Sequence, residues 1–375
     1  MKIQAAVLER MGLTPPYSQS RPLQVQDVEL ADPGPGELLV RIRAAGLCHS
    51  DLSVIDGSRP RQLPMLLGHE AAGEVAAIGA DVAGFAPGDH VVLVFVPSCG
   101  HCPPCLAGRP ALCEPAAIAN AEGTLLTGER RLSRDGEAVF HHLGVSAFGE
   151  YAVVNQGSAV KIDDGLPFEQ AALFGCAVVT GAGAVLNTAR VPEGASLAVI
   201  GLGGVGLNAL LAARLAGASR IVVIDRRADK LELATSLGAT DVFSADDPQL
   251  IENVRDATHG GVEFAFEMAG VLPALEIAWQ ITRRGGMTIT SGLPSPEKRL
   301  AVSPVQLVAE ERMLRGSYLG SCVPPRDIPK YISLFRRGLY PIDRLQTETI
   351  SLADINAGFD RLASGEVTRQ VIVFP

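Results

Sequence analysis

The sequence predicts an α/β protein of two domains, a β-rich one interrupted towards its C-terminal end by a doubly wound parallel sheet. Three observations carry this. The chain has 375 residues, more than one hydrophobic core ordinarily serves. Its first part, to about residue 150, is rich in Val, Gly and Pro, and its short apolar runs are separated by turn residues. From about residue 178, apolar runs of strand length alternate with helical ones, and that alternation builds a parallel sheet through right-handed crossovers.

In chain order, MKIQAAVLER opens with an alternating strand, and LLVRIRAAG (38–46), GEVAAIG (73–79) and HVVLVFV (90–96) read as further short strands. LAVIG (197–201) is a buried strand followed by the helical stretch VGLNALLAARLAGA, and RIVVID (220–225) is a second strand followed by DKLELATSLGA. EFAFEMAG and GGMTITSG continue the alternation, and QVIVF closes the chain as a strand of the first domain. The expected division is 1–177 with 322–375 for the β-rich domain, and 178–321 for the parallel sheet.

Composition narrows the function. A net charge of −9 disfavours non-specific nucleic-acid binding. No apolar run reaches the ~18 residues of a membrane span. The first residues lack the apolar core and cleavage site of a signal peptide, so a cytoplasmic location is expected. In that setting seven cysteines point to metal or catalysis rather than disulfides.

Gly201-Leu202-Gly203-Gly204-Val205-Gly206 matches G-x-G-x-x-G between an apolar strand and a helix. Glycines there allow a tight turn and close approach of a pyrophosphate, which the helix N-terminus attracts. Asp225 ends the next strand, where a carboxylate accepts from ribose hydroxyls and repels a 2′-phosphate, so NAD is expected. Arg226 and Arg227 follow and leave room for some use of NADP.

Cys99, Cys102, Cys105 and Cys113 have the spacing C-x₂-C-x₂-C-x₇-C. Four thiolates so close in sequence can surround one zinc tetrahedrally and leave no open position, which makes the site structural. A chance cluster of thiols and an iron–sulfur cluster are the alternatives. Cys48, His69 and Cys176 remain as candidate ligands of a second zinc with one open position, although they lie far apart in the chain.

Taken together these motifs resemble the zinc-dependent medium-chain alcohol dehydrogenase family nearly end to end. The segment GHEAAGEV matches its G-H-E-x-x-G signature, and the order Cys48, His69-Glu70, four-cysteine loop, Cys176, GLGGVG is the family order. The long stretch after Cys113, through HHLGVSAFGEY, is similar to the animal-type and glutathione-dependent branch. The resemblance implies a GroES-like catalytic domain, a Rossmann domain and an active site in a cleft between them. It implies NAD and two zinc ions per chain, with Cys48, His69, Glu70 and Cys176 at the catalytic zinc. Ser50 would take the alcohol proton, while Ser53 stands where many relatives carry a His that completes the relay.

By the same resemblance His49, Thr180, Val205, Asp225, Arg226, Lys230 and Arg369 would contact the cofactor. Phe95, His142, Leu143 and Leu293 would line the substrate pocket, favouring medium-chain or aromatic primary alcohols and aldehydes. Asp51 would orient the ligand histidine, and Cys322 has no assigned role. A homodimer is implied, joined edge to edge through the parallel sheets. Glutathione-dependent formaldehyde dehydrogenases are the nearest alternative, but the charges depart from that branch, with Glu114 after the fourth loop cysteine and Arg at position 59. A non-enzymatic dinucleotide-binding protein is the alternative from another class.

Overall fold

The computed structural model describes all 375 residues and divides into two compact units. The first comprises Met1–Cys176, Val323–Ile332 and Ile342–Pro375; the second comprises Ala177–Cys322 and Ser333–Pro341. Residues 333–341 therefore leave the β-rich unit to which the sequence reading gave them. The cause is Tyr340, which is fully buried and donates its hydroxyl to the Asn208 carbonyl at 2.7 Å.

The first unit is mixed α/β and rich in strands, as the sequence indicates. Lys2–Leu8, Leu23–Leu30, Leu132–Arg134, Glu137–His141 and Met65–Leu66 close into a small barrel, leaving no free edge among them. Beside it lies a seven-stranded sheet built around Glu37–Gly46, which pairs with Ala71–Ile78, Tyr151–Asn155 and Gln370–Val373. Alternating apolar residues such as Leu38, Val40 and Ile42 turn into a continuous core with Val75, Val91 and Val153.

Three adjacent strand ends in this sheet deliver the residues of interest. Ala44 and Ala45 pair with Ala72 and Ala71, and Gly46 pairs with Val371. The chain runs from there into Cys48 on one strand, out of His69-Glu70 on the second and out of Arg369 on the third. Gly46 is required by packing, since a Cβ there would lie 2.4 Å from a Glu70 carboxylate oxygen.

The second unit is a six-stranded parallel sheet of Ser196–Ile200, Arg220–Asp225, Asp241–Ser244, Val262–Glu267, Thr282–Thr290 and Met313–Gly316. Along the sheet these lie in the order third, second, first, fourth, fifth, sixth, the Rossmann order. The strand order reverses beside Ser196–Ile200, where the glycine loop emerges. Ala198, Ile200, Val222, Ile224, Val254 and Ile281 form its core against the helices. The edge strand Met313–Gly316 is exposed throughout. No single helix of the chain is long and apolar enough to cross a membrane.

Candidate functional site

Cys48 caps the short helix His49–Ile55, His69 precedes the strand Ala71–Ile78, and Cys176 follows the turn Leu173–Gly175. With Glu70 they are all buried, and one ligand atom from each lies within 4.8 Å of the others. His69 Nδ1 sits 3.0 Å from the Asp51 carboxylate, which fixes the ring so that Nε2 offers its lone pair. That Nε2 is buried without a hydrogen-bond partner. The Cys48 thiol is held well below its usual value by the hydrogen bond from Cys176, aided by His69 and Arg369, and Cys176 is pushed up in turn. Two neighbouring sulfurs and an imidazole nitrogen without a protein partner are the donor set of a zinc ion with a free coordination position.

Asp51, Glu70 and Arg369 surround this group. Asp51 accepts from the Gly68 N–H at 3.1 Å and faces His142 Nε2 at 3.3 Å. Burial raises Asp51, but its two histidine partners outweigh that and leave it below the usual carboxylate range. Burial pushes Glu70 up to about 7 even against Arg369, whose Nη1 lies 3.4 Å away. The four-cysteine loop is separate. Its sulfurs are also mutually within 4.8 Å, and the backbone N–H groups of Cys99 and Cys102 donate to Cys113 and Cys99 sulfurs at 3.3 Å. Amides aimed at sulfur favour the thiolate, so this loop too fits a metal ion.

In the second unit, Gly203 caps the helix Gly204–Leu215. Asp225 accepts from the backbone N–H of Leu202 at 2.6 Å and of Arg227 at 3.0 Å, which places its carboxylate beside the glycine loop. Arg226 pairs with Asp246 at 3.1 Å and Arg227 with Asp229 at 2.9 Å, both near the surface. Lys230 is half-buried on the next helix, Ala228–Leu237. Thr180 lies on Ala177–Gly183, a helix pressed against the glycine-loop helix so closely that a Cβ on Gly181 would meet the Val205 carbonyl at 2.2 Å.

Several expected residues sit differently from their sequence reading. His142 is 1% exposed and turned onto Asp51. Arg369, expected at cofactor phosphates, is 4% exposed and faces Glu70 and the Leu47 carbonyl, because its strand runs beside the one carrying Cys48. Phe95 packs edge-on to the His69 ring at 5.5 Å. Leu143 is half-buried in a left-handed conformation, Leu293 is exposed, His49 is exposed, Ser50 is half-buried, and Cys322 is fully buried. The Ser53 hydroxyl donates to the His49 carbonyl at 2.7 Å. Sequence reasoning missed the hydroxyl cluster of Thr188, Ser317 and Ser321, with both contacts at 2.8 Å, beside Leu319, Gly320 and Ser321 in consecutive left-handed conformations. The only signal was the dipeptide Gly320-Ser321, too short to stand out.

Comparison with known proteins accounts for this combination of fold and sites. Residues 34–164 match the alcohol dehydrogenase GroES-like domain and residues 204–337 the zinc-binding dehydrogenase domain. The chain therefore belongs to the zinc-dependent medium-chain alcohol dehydrogenase family. It is 35% identical to S-(hydroxymethyl)glutathione dehydrogenase of Paracoccus denitrificans and 38% identical to putative alcohol dehydrogenase D of Mycobacterium tuberculosis, each over the full length of both chains. The crystal structure of benzyl alcohol dehydrogenase from Acinetobacter calcoaceticus superposes with a TM-score of 0.93 at 32% identity, covering both chains completely. The protein is an oxidoreductase acting on CH–OH donors, with zinc and a nicotinamide dinucleotide as its cofactors.

Proposed function

We propose that this enzyme interconverts primary medium-chain or aromatic alcohols and their aldehydes, uses NAD, holds two zinc ions per chain and works as a homodimer. The observation that carries the reading is the buried cluster of Cys48, His69 and Cys176, with an unpartnered His69 Nε2 turned away from Asp51. A zinc ion held there supplies Lewis acidity, and the dinucleotide supplies the hydride acceptor. Asp51 keeps the ligand histidine in one tautomer, and the Ser50 hydroxyl, two residues from Cys48, receives the alcohol proton because it both accepts and donates. Ser53 has its hydroxyl committed to the His49 carbonyl and cannot act as a base near neutral pH, so it does not complete a proton relay from Ser50. Phe95 offers an apolar wall beside the ligand imidazole, which suits aromatic and aliphatic chains.

NAD is favoured by Asp225, whose carboxylate would repel a 2′-phosphate, and by the pairing of Arg226 and Arg227 with their own acids. The second zinc is supported by the four-cysteine loop with its inward-pointing amides. The dimer is supported by the exposed edge strand Met313–Gly316 and by Val305 and Val308, 77% and 76% exposed on the helix before it. A second copy pairing there would satisfy the open edge and cover the apolar side chains. Action on S-(hydroxymethyl)glutathione is the second reading, favoured by the Paracoccus relative.

Metal analysis together with a panel of primary, aromatic and secondary alcohols, S-(hydroxymethyl)glutathione, NAD and NADP tests the reading. Two zincs per chain and NAD-linked oxidation of hexanol or benzyl alcohol are expected. A protein without zinc, or one that oxidises only the glutathione adduct, sinks it.

A further inference from the structure

Phe95, the apolar wall beside the His69 ring, is placed by the strand before it and by a side chain from the four-cysteine lobe. The strand His90–Leu93 runs antiparallel to Ala71–Ile78 with Leu93 opposite Ala71, so the chain two residues further on comes beside His69. At Phe95 the chain has left the strand, and the Phe95 carbonyl accepts from Asn120 Nδ2 at 3.0 Å. Asn120 lies on the helix Glu114–Glu122, which starts at Cys113, the last cysteine of the loop. The stretch after Phe95 returns to that loop, where the Cys99 N–H donates to the Cys113 sulfur at 3.3 Å. Asn120 also borders the other expected wall segment. A Cβ added to Gly144, next to Leu143, would come within 3.7 Å of Asn120 Oδ1 and 3.2 Å of the Pro97 ring.

The helix itself gives no reason for Asn120. Asparagine is a poor helix former, and here it shares the buried face with Ala116 and Ala119. Its Oδ1 is buried without a hydrogen-bond partner, which costs stability. What the side chain supplies is the N–H that meets the Phe95 carbonyl. The Phe95 ring stands edge-on to His69 with centroids 5.5 Å apart, so a shift of the backbone at Phe95 moves the surface next to the ligand imidazole. We propose that Asn120 is a positioning residue: through the Phe95 carbonyl it fixes the aromatic wall of the carbinol pocket, and the four-cysteine lobe thereby helps to decide which alcohols are accepted. A rigid ring needs a fixed wall more than a flexible alkyl chain does, because its near-attack geometry leaves less freedom to adjust. This rests on the proposed function in taking the Cys48–His69–Cys176 cluster as the place where the carbinol reacts. If Asn120 only satisfies a buried carbonyl, its loss lowers stability and leaves the choice among alcohols unchanged.

Two alcohols separate these roles. The zinc-loaded enzyme with NAD is assayed on benzyl alcohol and on hexanol. Asn120→Ala favours the helix but lacks the donor. In that variant the ratio of kcat/KM for benzyl alcohol over hexanol is expected to fall about 3–10-fold, the scale of one neutral hydrogen bond, mainly through KM for benzyl alcohol. Asn120→Asp keeps the shape without the donor and should move the ratio in the same direction. In a Phe95→Leu background the further effect of Asn120→Ala is expected to shrink to under about twofold, because the two residues act on one wall. Hydrogen exchange over residues 94–98 reads the link without turnover. It should quicken in Asn120→Ala by a factor similar to the fall in the ratio, while exchange in Ala71–Ile78 stays at the parent rate. A ratio unchanged in both variants overturns the inference, as does a change that persists in full in Phe95→Leu. Faster local exchange in Asn120→Ala, with neither alcohol oxidised by the parent, would instead sink the proposed function and leave the hold of Asn120 on Phe95 standing.

Discussion

At Asp51 three stretches of chain meet, and the meeting shows what single residues reveal in advance. Spacing and order pointed to Cys48, His69 and Cys176, and to Asp51 as the group that orients the ligand histidine, because metal ligands and their partners are chemically specific. Nothing in HHLG tells which histidine turns inward, since consecutive side chains on a strand point to opposite faces. His141, the other one, ends the strand Glu137–His141, is 1% exposed, and accepts the Arg131 N–H at 3.1 Å through Nε2. Burial, with Arg130 and Arg131 adding to it, pushes it down to about 3. An unfolded histidine titrates near about 6.5. With the folded value lower, its neutral form contributes fully to stability above about pH 6.5, and the contribution is lost as pH falls from there towards about 3. His141→Gln should therefore show a shallower loss of urea midpoint between those limits than the parent, while being less stable at pH 8. Parallel declines in the two proteins would refute this.

Elements were legible wherever their pattern was long. Ser196–Ile200 and Arg220–Asp225 were legible almost to the residue because buried parallel strands are largely apolar runs, whereas EFAFEMAG overran the end of Val262–Glu267 by three residues. The strands Asp241–Ser244 and Met313–Gly316 were not legible, being four residues each with mixed polarity. The glycine loop was legible as a motif, and the structure gives its physical reason. A Cβ on Gly206 would lie 1.8 Å from the Gly201 carbonyl oxygen, so helix and strand would have to separate. Gly206→Ala is expected to cost about 1–3 kcal/mol, the usual scale of overpacking, and to weaken NADH binding at least about tenfold, because the amides of the loop move with the helix. Fluorescence titration and thermal unfolding measure the two effects. Tight NADH binding by a stable variant would contradict the argument.

At the scale of the molecule, the change of texture near residue 178 showed that one unit interrupts the other, but not that residues 333–341 return to the inserted one, a matter decided by the burial of Tyr340. Association is the other property at this scale. Leu314→Asp places a charge on the open edge strand, where Leu314 is 44% exposed. In sedimentation the parent is expected to behave as a dimer and the variant as a monomer with unchanged zinc content. A variant that stays dimeric would move the interface elsewhere.

The seven-stranded sheet has a consequence for synthesis on the ribosome. Gln370–Val373 lies inside it, between Glu37–Gly46 and Glu348–Ile350, and the Gln370 carbonyl receives the N–H of Leu47, next to Cys48. The ligand-bearing end of the early strand thus waits, one flank bare, while the whole Rossmann unit is translated. The nascent first unit lacks that neighbour throughout the interval, and it gains its last supporting strand only when residues 370–373 leave the exit tunnel.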